Sequence, residues 1–128
     1  MKNVAVIVLY CLLLSSVSIS CWHRSNNDNI NLTVSESGND YKITAEYPEQ
    51  NTVNVERYMN RKFGDESNIS FINTRIDAEI TLDDGTKFYM NNRPGILELK
   101  LDKSENSNAS YRKIKAFGEG LKPVLQQQ

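Results

Sequence analysis

The chain has 128 residues, with 15 basic and 16 acidic side chains and a formal net charge of −1. This length accommodates one domain. A net charge this close to zero produces no strong electrostatic field to attract DNA or RNA, so we expect no nucleic-acid partner. One histidine and two cysteines leave little material for a zinc site or for a Ser–His or Cys–His mechanism.

The N-terminus has the composition of a secretion signal. Met1 and Lys2 form a short positive start, an apolar run covers residues 4–14, and small residues lead to Cys21. A charged start, an apolar stretch of about 7–15 residues and a small-residue exit are the parts of a signal peptide. The run is shorter than the ~20 apolar residues of a membrane span. We therefore expect residues 1–20 to be a signal peptide, with an uncleaved anchor as the alternative.

The end of this signal, Ser18-Ile19-Ser20-Cys21, resembles the lipobox of bacterial lipoproteins. In that motif a small residue precedes a cysteine that receives a lipid and becomes the new N-terminus. The resemblance implies a lipid on Cys21, a membrane contact through it, and a place in the bacterial cell envelope. Ser18 stands where the motif usually has leucine, so cleavage after Ser20 and free secretion are the alternative. Residues 21–29 are polar and asparagine-rich, as flexible tethers are.

Cysteine usage agrees with a lipid anchor. Cys11 would leave with the signal peptide, so Cys21 would be the one cysteine of the mature chain. A single cysteine cannot form the internal disulfide that exported domains often have. A lipid on Cys21 accounts for it, and an intermolecular disulfide is the alternative. The histidine, His23, lies in the tether, and no glycine-rich phosphate loop follows, so we expect no metal, no cofactor and no catalytic residue.

Residues 30–128 are predicted to form one α+β domain, which begins with a β-hairpin. Apolar and polar residues alternate over 30–36 and 41–47, and the turn formers 37–40 separate the two runs. Helical spacing follows over residues 52–63, with an apolar stripe of Val55, Tyr58, Met59 and Phe63.

Both ends of this predicted helix have residue types that are typical of helix termini. Thr52 is a capping residue type, and Gly64 is suited to the left-handed position after the last turn. The sequence therefore predicts that the helix begins at Thr52 and ends before Gly64.

Three further strands are predicted between Ser70 and Asp102. The first would bury alternate side chains, which are Ile72, Thr74, Ile76, Ala78, Ile80 and Leu82. A three-residue loop with Gly85 left-handed pairs Ile80 with Phe88, whereas a two-residue loop would place Phe88 on the polar face.

A second helix is predicted after these strands. Its stripe is Tyr111, Ile114, Phe117, Leu121 and Leu125. The order ββαβββα, with one apolar face per element, predicts a two-layer α+β sandwich: an antiparallel sheet of about five strands with two helices on one face. From residue 52 onward the order is shared with double-stranded-RNA-binding domains, but the charge balance disfavours phosphate binding.

The uncovered face of this sheet is the predicted binding face, formed by Arg75, Asp77, Glu79, Lys87, Tyr89, Glu98 and Lys100. Asp77 and Glu79 could share a proton for acid–base chemistry, but cross-strand opposite charges are also typical of a solvated face. We therefore expect a non-enzymatic envelope protein that binds another envelope protein or a glycan. The alternatives are a carboxylate-dependent glycan or peptidoglycan hydrolase, and an inhibitor or chaperone of an exported enzyme.

Overall fold

The alternating segments form one antiparallel sheet in the computed structural model, which describes residues 29–127. Its strands are β1 (Asn31–Ser37), β2 (Asp40–Glu46), β3 (Ile76–Thr81), β4 (Lys87–Arg93) and β5 (Ile96–Asp102). They lie in the order β1-β2-β5-β4-β3. The β1–β2 hairpin thus joins the β3–β4–β5 meander through β2 and β5, where Ile43 lies opposite Leu99. The predicted signal peptide, Cys21 and all of the tether except Asn29 lie outside the described residues.

Two helical segments cover one face of the sheet, which confirms the predicted α+β fold with its ββαβββα order. Helix α1 (Thr52–Met59) continues through a π-helical turn (Asn60–Gly64) and a last α-helical turn (Asp65–Ser67). Helix α2 (Asn108–Leu125) carries the C-terminal stripe. The core lies between these helices and the inner sheet face, and its fully buried side chains include Ile43, Met59, Phe63, Phe71, Ile80, Phe88, Met90, Leu97, Leu99, Leu101, Ile114 and Leu121.

The hairpin between β3 and β4 has the predicted register. Ile80 pairs with Phe88, and Ala78 pairs with Met90. Leu82 N–H donates to the Thr86 carbonyl at 2.8 Å, and Gly85 between them has a φ of +89°. The loop therefore has three residues with Gly85 left-handed, because only this register keeps the apolar side chains on one face.

The start of the third predicted strand was wrong. Strand β3 begins only at Ile76, and Ile72 is 41% exposed rather than buried. Phe71 is buried instead, next to Phe63, and its N–H donates to Asn60 Oδ1 at 3.2 Å. This placement takes the chain out of the extended conformation, with a φ of +52° at Asn73. Burial of the larger phenylalanine thus overrides the alternation before residue 76.

The edges of the sheet are less buried than the alternation predicted. On β3, Ala78 is exposed. On β1, Leu32 is half-buried and Val34 is 49% exposed. Both strands are edge strands in the sheet order, so each has a neighbour on one side only.

The first helix begins at Thr52 as predicted, but the predicted C-terminal end and the capping role of Thr52 need correction. Gly64 has a helical φ of −59°, and the left-handed residue is Asn68, with a φ of +57°. Asn68 N–H donates to the Gly64 carbonyl at 3.1 Å and so closes the last turn. At the start, Thr52 does not cap the helix, because its Oγ1 accepts a 3.0 Å hydrogen bond from Gly95 N–H. Thr52 therefore connects α1 to the β4–β5 turn.

Candidate functional site

Six of the seven residues of the predicted binding face lie together on the side of the sheet opposite the two described helices, here called the open face. The register places Glu79 opposite Tyr89 and Tyr89 opposite Lys100. Because side chains alternate along a strand, the buried Ile80, Phe88 and Leu99 occupy the other side. The six residues are Asp77, Glu79, Lys87, Tyr89, Glu98 and Lys100.

The two carboxylates of β3 contact different partners on β4. The hydroxyl of Tyr89 donates a hydrogen bond to Asp77 Oδ1. This hydrogen bond to a carboxylate raises the pKa of Tyr89, because the charged acceptor favours the protonated phenol. Lys87 Nζ lies 3.4 Å from Glu79 Oε1 and 3.8 Å from a Glu105 carboxylate oxygen. Asp77 and Glu79 are thus each engaged across the strands, rather than held against one another as a proton-sharing pair.

The same pattern of cross-strand charge continues toward β2. Lys42 Nζ lies 3.5 Å from Glu98 Oε1, and Lys42 is an open-face residue that the sequence reasoning did not include. The alternation of residues 41–47 was the signal for it, since Lys42 and Thr44 fall between the buried Tyr41, Ile43 and Ala45. Each exposed pair contributes under about 1 kcal/mol, so these pairs favour register and solubility more than stability.

A shallow depression of about 200 Å³ marks one end of the open face. Glu79, Lys87, Tyr89 and Lys100 line it, together with Asp40, Phe88, Asp102 and Glu105. Its rim holds four carboxylates and two ammonium groups. Hydrogen bonds from the Ser104 hydroxyl and N–H lower the pKa of Asp102, which keeps that carboxylate charged. The depression is therefore net acidic.

Arg75 lies apart from the other six residues, in the segment before β3. It lines a cavity of about 210 Å³ at the start of α1, here called the Glu56 cavity. The lining residues are Thr52, Glu56, Asn73, Thr74, Arg75, Asn92, Arg93 and Pro94.

Sequence reasoning missed Glu56, Asn92 and Arg93 as members of a site. A signal for Glu56 was present, because it lies three residues before Met59 and seven before Phe63, on the buried stripe of α1. A carboxylate at a core position of an amphipathic helix is unusual. Nothing comparable marks Arg93, whose place in the cavity depends on the fold of the β4–β5 turn.

The described part of the chain contains neither a candidate metal site nor a candidate membrane-spanning helix. Between residues 29 and 127, no group of three or more His, Cys, Asp or Glu residues is placed to hold a metal ion. Over the same residues, no helix has the length and apolar character needed to cross a bilayer. Compared with models of known protein families, with curated proteins and with solved structures, the chain has no significant match.

Proposed function

We propose that the protein is an exported, non-enzymatic binding protein of the bacterial cell envelope, anchored by a lipid on Cys21. In this proposal the open face docks another envelope protein. The observation that supports it most directly is a sheet face that no helix of the described residues covers, where Tyr89 of β4 lies opposite both Glu79 of β3 and Lys100 of β5.

The chemistry of the open face suits a protein partner with basic residues. Tyrosine provides a large amphipathic contact with few rotatable bonds, and such residues are enriched in binding hot spots. The acidic depression beside Tyr89 would attract a positively charged surface and favour its orientation. Existing pairs such as Lys87–Glu79 can exchange partners at low cost, because they are exposed and individually weak.

The engagement of Asp77 and Glu79 favours docking over the hydrolase alternative. A glycosidase needs one carboxyl group that stays protonated and a second that acts as base or nucleophile on the same bond. Here Asp77 accepts from Tyr89, and Glu79 pairs with Lys87, on an open surface that does not exclude water. This arrangement supports a surface for contact rather than a protected reaction site.

The anchor is tested by the intact mass of the protein extracted from membranes. A diacylglycerol-type mass increase on a chain that begins at Cys21 is the expected result. The Cys21→Ser variant is the control and should be released from the membrane fraction. Detection of the untrimmed chain in the cytoplasm would refute both export and anchoring.

The docking surface is tested by site-specific photo-crosslinking in intact cells. A benzophenone side chain at position 89 should give a discrete protein adduct, whereas the same group at the exposed Arg112 of α2 should not. A glycan adduct from position 89 would instead identify a glycan as the partner of the open face. Identical adducts from both positions, or turnover of a glycan that Asp77→Asn abolishes, would overturn the proposal.

A further inference from the structure

Strand β1 leaves unpaired backbone groups along one edge of the sheet. It lies at the end of the strand order and, among the described residues, pairs only with β2. The pairing runs without a bulge from Asn31 to Ser37, so the strand is regular along its whole length. Backbone N–H and C=O groups at a regular sheet edge can pair with another strand. The outer side of β1 is therefore a candidate interaction surface.

The register shows which backbone groups of β1 point away from the sheet. The β2–β5 register continues by one residue to Asn39, whose carbonyl accepts a 2.7 Å hydrogen bond from Lys103 N–H. Since the direction of backbone groups alternates along a strand, the odd-numbered residues of β2 bond to β5 and the even-numbered ones bond to β1. The register of the hairpin then bonds the odd-numbered residues of β1 to β2. The residues whose N–H and C=O point outward are Leu32, Val34 and Glu36.

The two edges of the sheet differ in how well they are protected. At the opposite edge, β3 carries the carboxylates of Asp77 and Glu79 within six residues, and charged side chains are a common protection against edge-to-edge pairing. Strand β1 has seven residues without lysine or proline, and its one charged residue is Glu36. Val34, in its middle, is 49% exposed although it lies opposite the buried Ile43. The sequence of β1 thus permits pairing at its outer side.

We propose that β1 pairs antiparallel with β1 of a second copy of this chain, with the two Val34 residues opposite each other. In this register each outward N–H of one copy meets an outward C=O of the other. The Val34 side chains pack together at the two-fold axis, and Thr33 lies opposite Ser35. The interface is isologous, as is usual in homodimers. The two sheets become one continuous sheet, with the helices of both copies on one side and both open faces on the other.

Charge complementarity favours a second copy as the occupant. In the proposed register, Glu36 lies opposite Leu32 of the second copy. Leu32 and Lys122 line the same groove beside β1, so the carboxylate approaches the region of a lysine. A register centred on Glu36 would instead oppose two carboxylates, which is unfavourable. The strand therefore complements itself in one particular register.

The association of the purified protein tests the proposal. Reducing conditions exclude a disulfide between two chains, and sedimentation velocity over a range of protein concentrations measures the dimer. We expect a reversible equilibrium between monomer and dimer. A protein that stays monomeric up to millimolar concentration would overturn the proposal, and binding of β1 to a strand of another protein would give that result.

Amide hydrogen exchange assigns the dimer to the edge of β1. In the monomer, the outward N–H groups of Leu32, Val34 and Glu36 bond to water and should exchange fast. Those of Thr33 and Ser35 already bond to β2 and should be protected. A rise in protein concentration should slow the first group at least tenfold more than the second. A dimer in which the first group still exchanges fast would place the interface elsewhere and refute the proposal.

A pair of lysine substitutions compares the two edges of the sheet. Val34→Lys opposes two ammonium groups at the two-fold axis, so it should raise the dissociation constant of the dimer at least tenfold. Because Val34 is exposed, the monomer should keep its fold, which circular dichroism checks. Ala78→Lys changes an exposed residue in the middle of β3 and is the matched control, with unchanged dimerisation expected. A folded Val34→Lys protein that dimerises like the wild type, or equal weakening by both substitutions, would refute the interface.

This inference rests neither on the lipid at Cys21 nor on the docking of a partner at the open face. Strands β2 and β5 separate β1 from β4, the strand of Tyr89. The Val34→Lys protein should therefore keep the crosslink from position 89. A failure of either experiment counts against one proposal only.

Discussion

The hydroxyl of Tyr58 donates a 2.7 Å hydrogen bond to the backbone carbonyl of Phe117, and the two rings stack with their centroids 4.9 Å apart. This contact joins α1 to α2. It requires the absence of a side chain at Gly120, because a Cβ there would collide with the Tyr58 hydroxyl. At Gly118, a Cβ would lie 2.8 Å from Ile43 Cδ1. The two glycines of α2 therefore permit close packing against α1 and the sheet.

We expect Gly120→Ala to lower the free energy of unfolding by about 1–3 kcal/mol, the range for overpacking. Helix propensity alone predicts the opposite sign, a gain of up to about 1 kcal/mol. Urea denaturation of the wild type and the variant measures the difference. A stabilised variant would show that the Tyr58 ring moves aside at no cost.

The Tyr58→Phe background provides the control for this substitution. Without the hydroxyl, the atom that a Cβ at Gly120 would strike is gone. Gly120→Ala should then cost less than it does in the wild type, so the two changes should not be additive. Equal costs in both backgrounds would place the clash elsewhere.

Local periodicity was sufficient to predict most elements of this fold. Alternation predicted the strands around Ile43, Ile80 and Leu99 and even the register of Ile80 with Phe88, because that register depends on a short loop. The pairing of β2 with β5 joins residues that are at least fifty positions apart in the chain, and no turn signal encodes it. The exposure of Ile72 was missed for a related reason: burial of Phe71 depends on Phe63 and Asn60 of the preceding helical segment.

The two candidate sites differ in the same way: one follows from local sequence patterns and the other depends on the tertiary fold. Open-face residues such as Glu79 and Tyr89 follow from strand parity, which a sequence displays directly. The Glu56 cavity combines a helix start, the segment before β3 and the β4–β5 turn. Arg75 and Arg93 line the same cavity only once the sheet has formed, so their spacing along the chain does not predict that they share a site.

The orientation of the sheet predicts a strong asymmetry between its two faces. Leu99 is fully buried and Ile80 is 2% exposed, so replacing either with alanine should cost about 2–5 kcal/mol. Asp77→Asn, on the open face, should cost under about 1 kcal/mol. Chemical denaturation of the three variants gives the comparison. An Asp77 variant as unstable as the Leu99 variant would contradict the assignment of the faces.

The side chain of Asn106 replaces a missing strand partner at the start of β4. Its Oδ1 accepts from Lys87 N–H at 2.9 Å, and its Nδ2 donates to the Lys87 and Asp102 carbonyls at 2.9 and 2.8 Å. Asn106→Ala would leave these backbone groups without partners, so we expect a loss of about 1–3 kcal/mol. Thermal or urea unfolding measures it, with the exposed Asn108→Ala as control. Equal effects of both substitutions would show that water replaces the amide.

Lys113 connects three parts of the fold and makes stability depend on pH. Its Nζ contacts Glu66, in the last turn after α1, and lies 2.9 Å from Asp84 Oδ2 in the β3–β4 loop. The hydrogen bond from Lys113, aided by the Thr86 N–H, lowers the pKa of Asp84 to about 2. An unfolded aspartate titrates near about 3.9. The folded state therefore binds the proton less readily than the unfolded chain does.

A lowered folded pKa stabilises the protein above the unfolded value, and this contribution is lost as the pH falls from about 4 through about 2. Because Asp84 is 44% exposed, we expect the contribution to stay under about 1 kcal/mol. Asp84→Asn keeps an acceptor for the Thr86 N–H but removes the charge, so the wild type should be the more stable protein at pH 5 and the difference should vanish near pH 2. Thermal unfolding of both proteins across this range measures it. A difference that stays constant with pH would assign the stabilisation to hydrogen bonding alone, without a part for the Lys113–Asp84 charge pair.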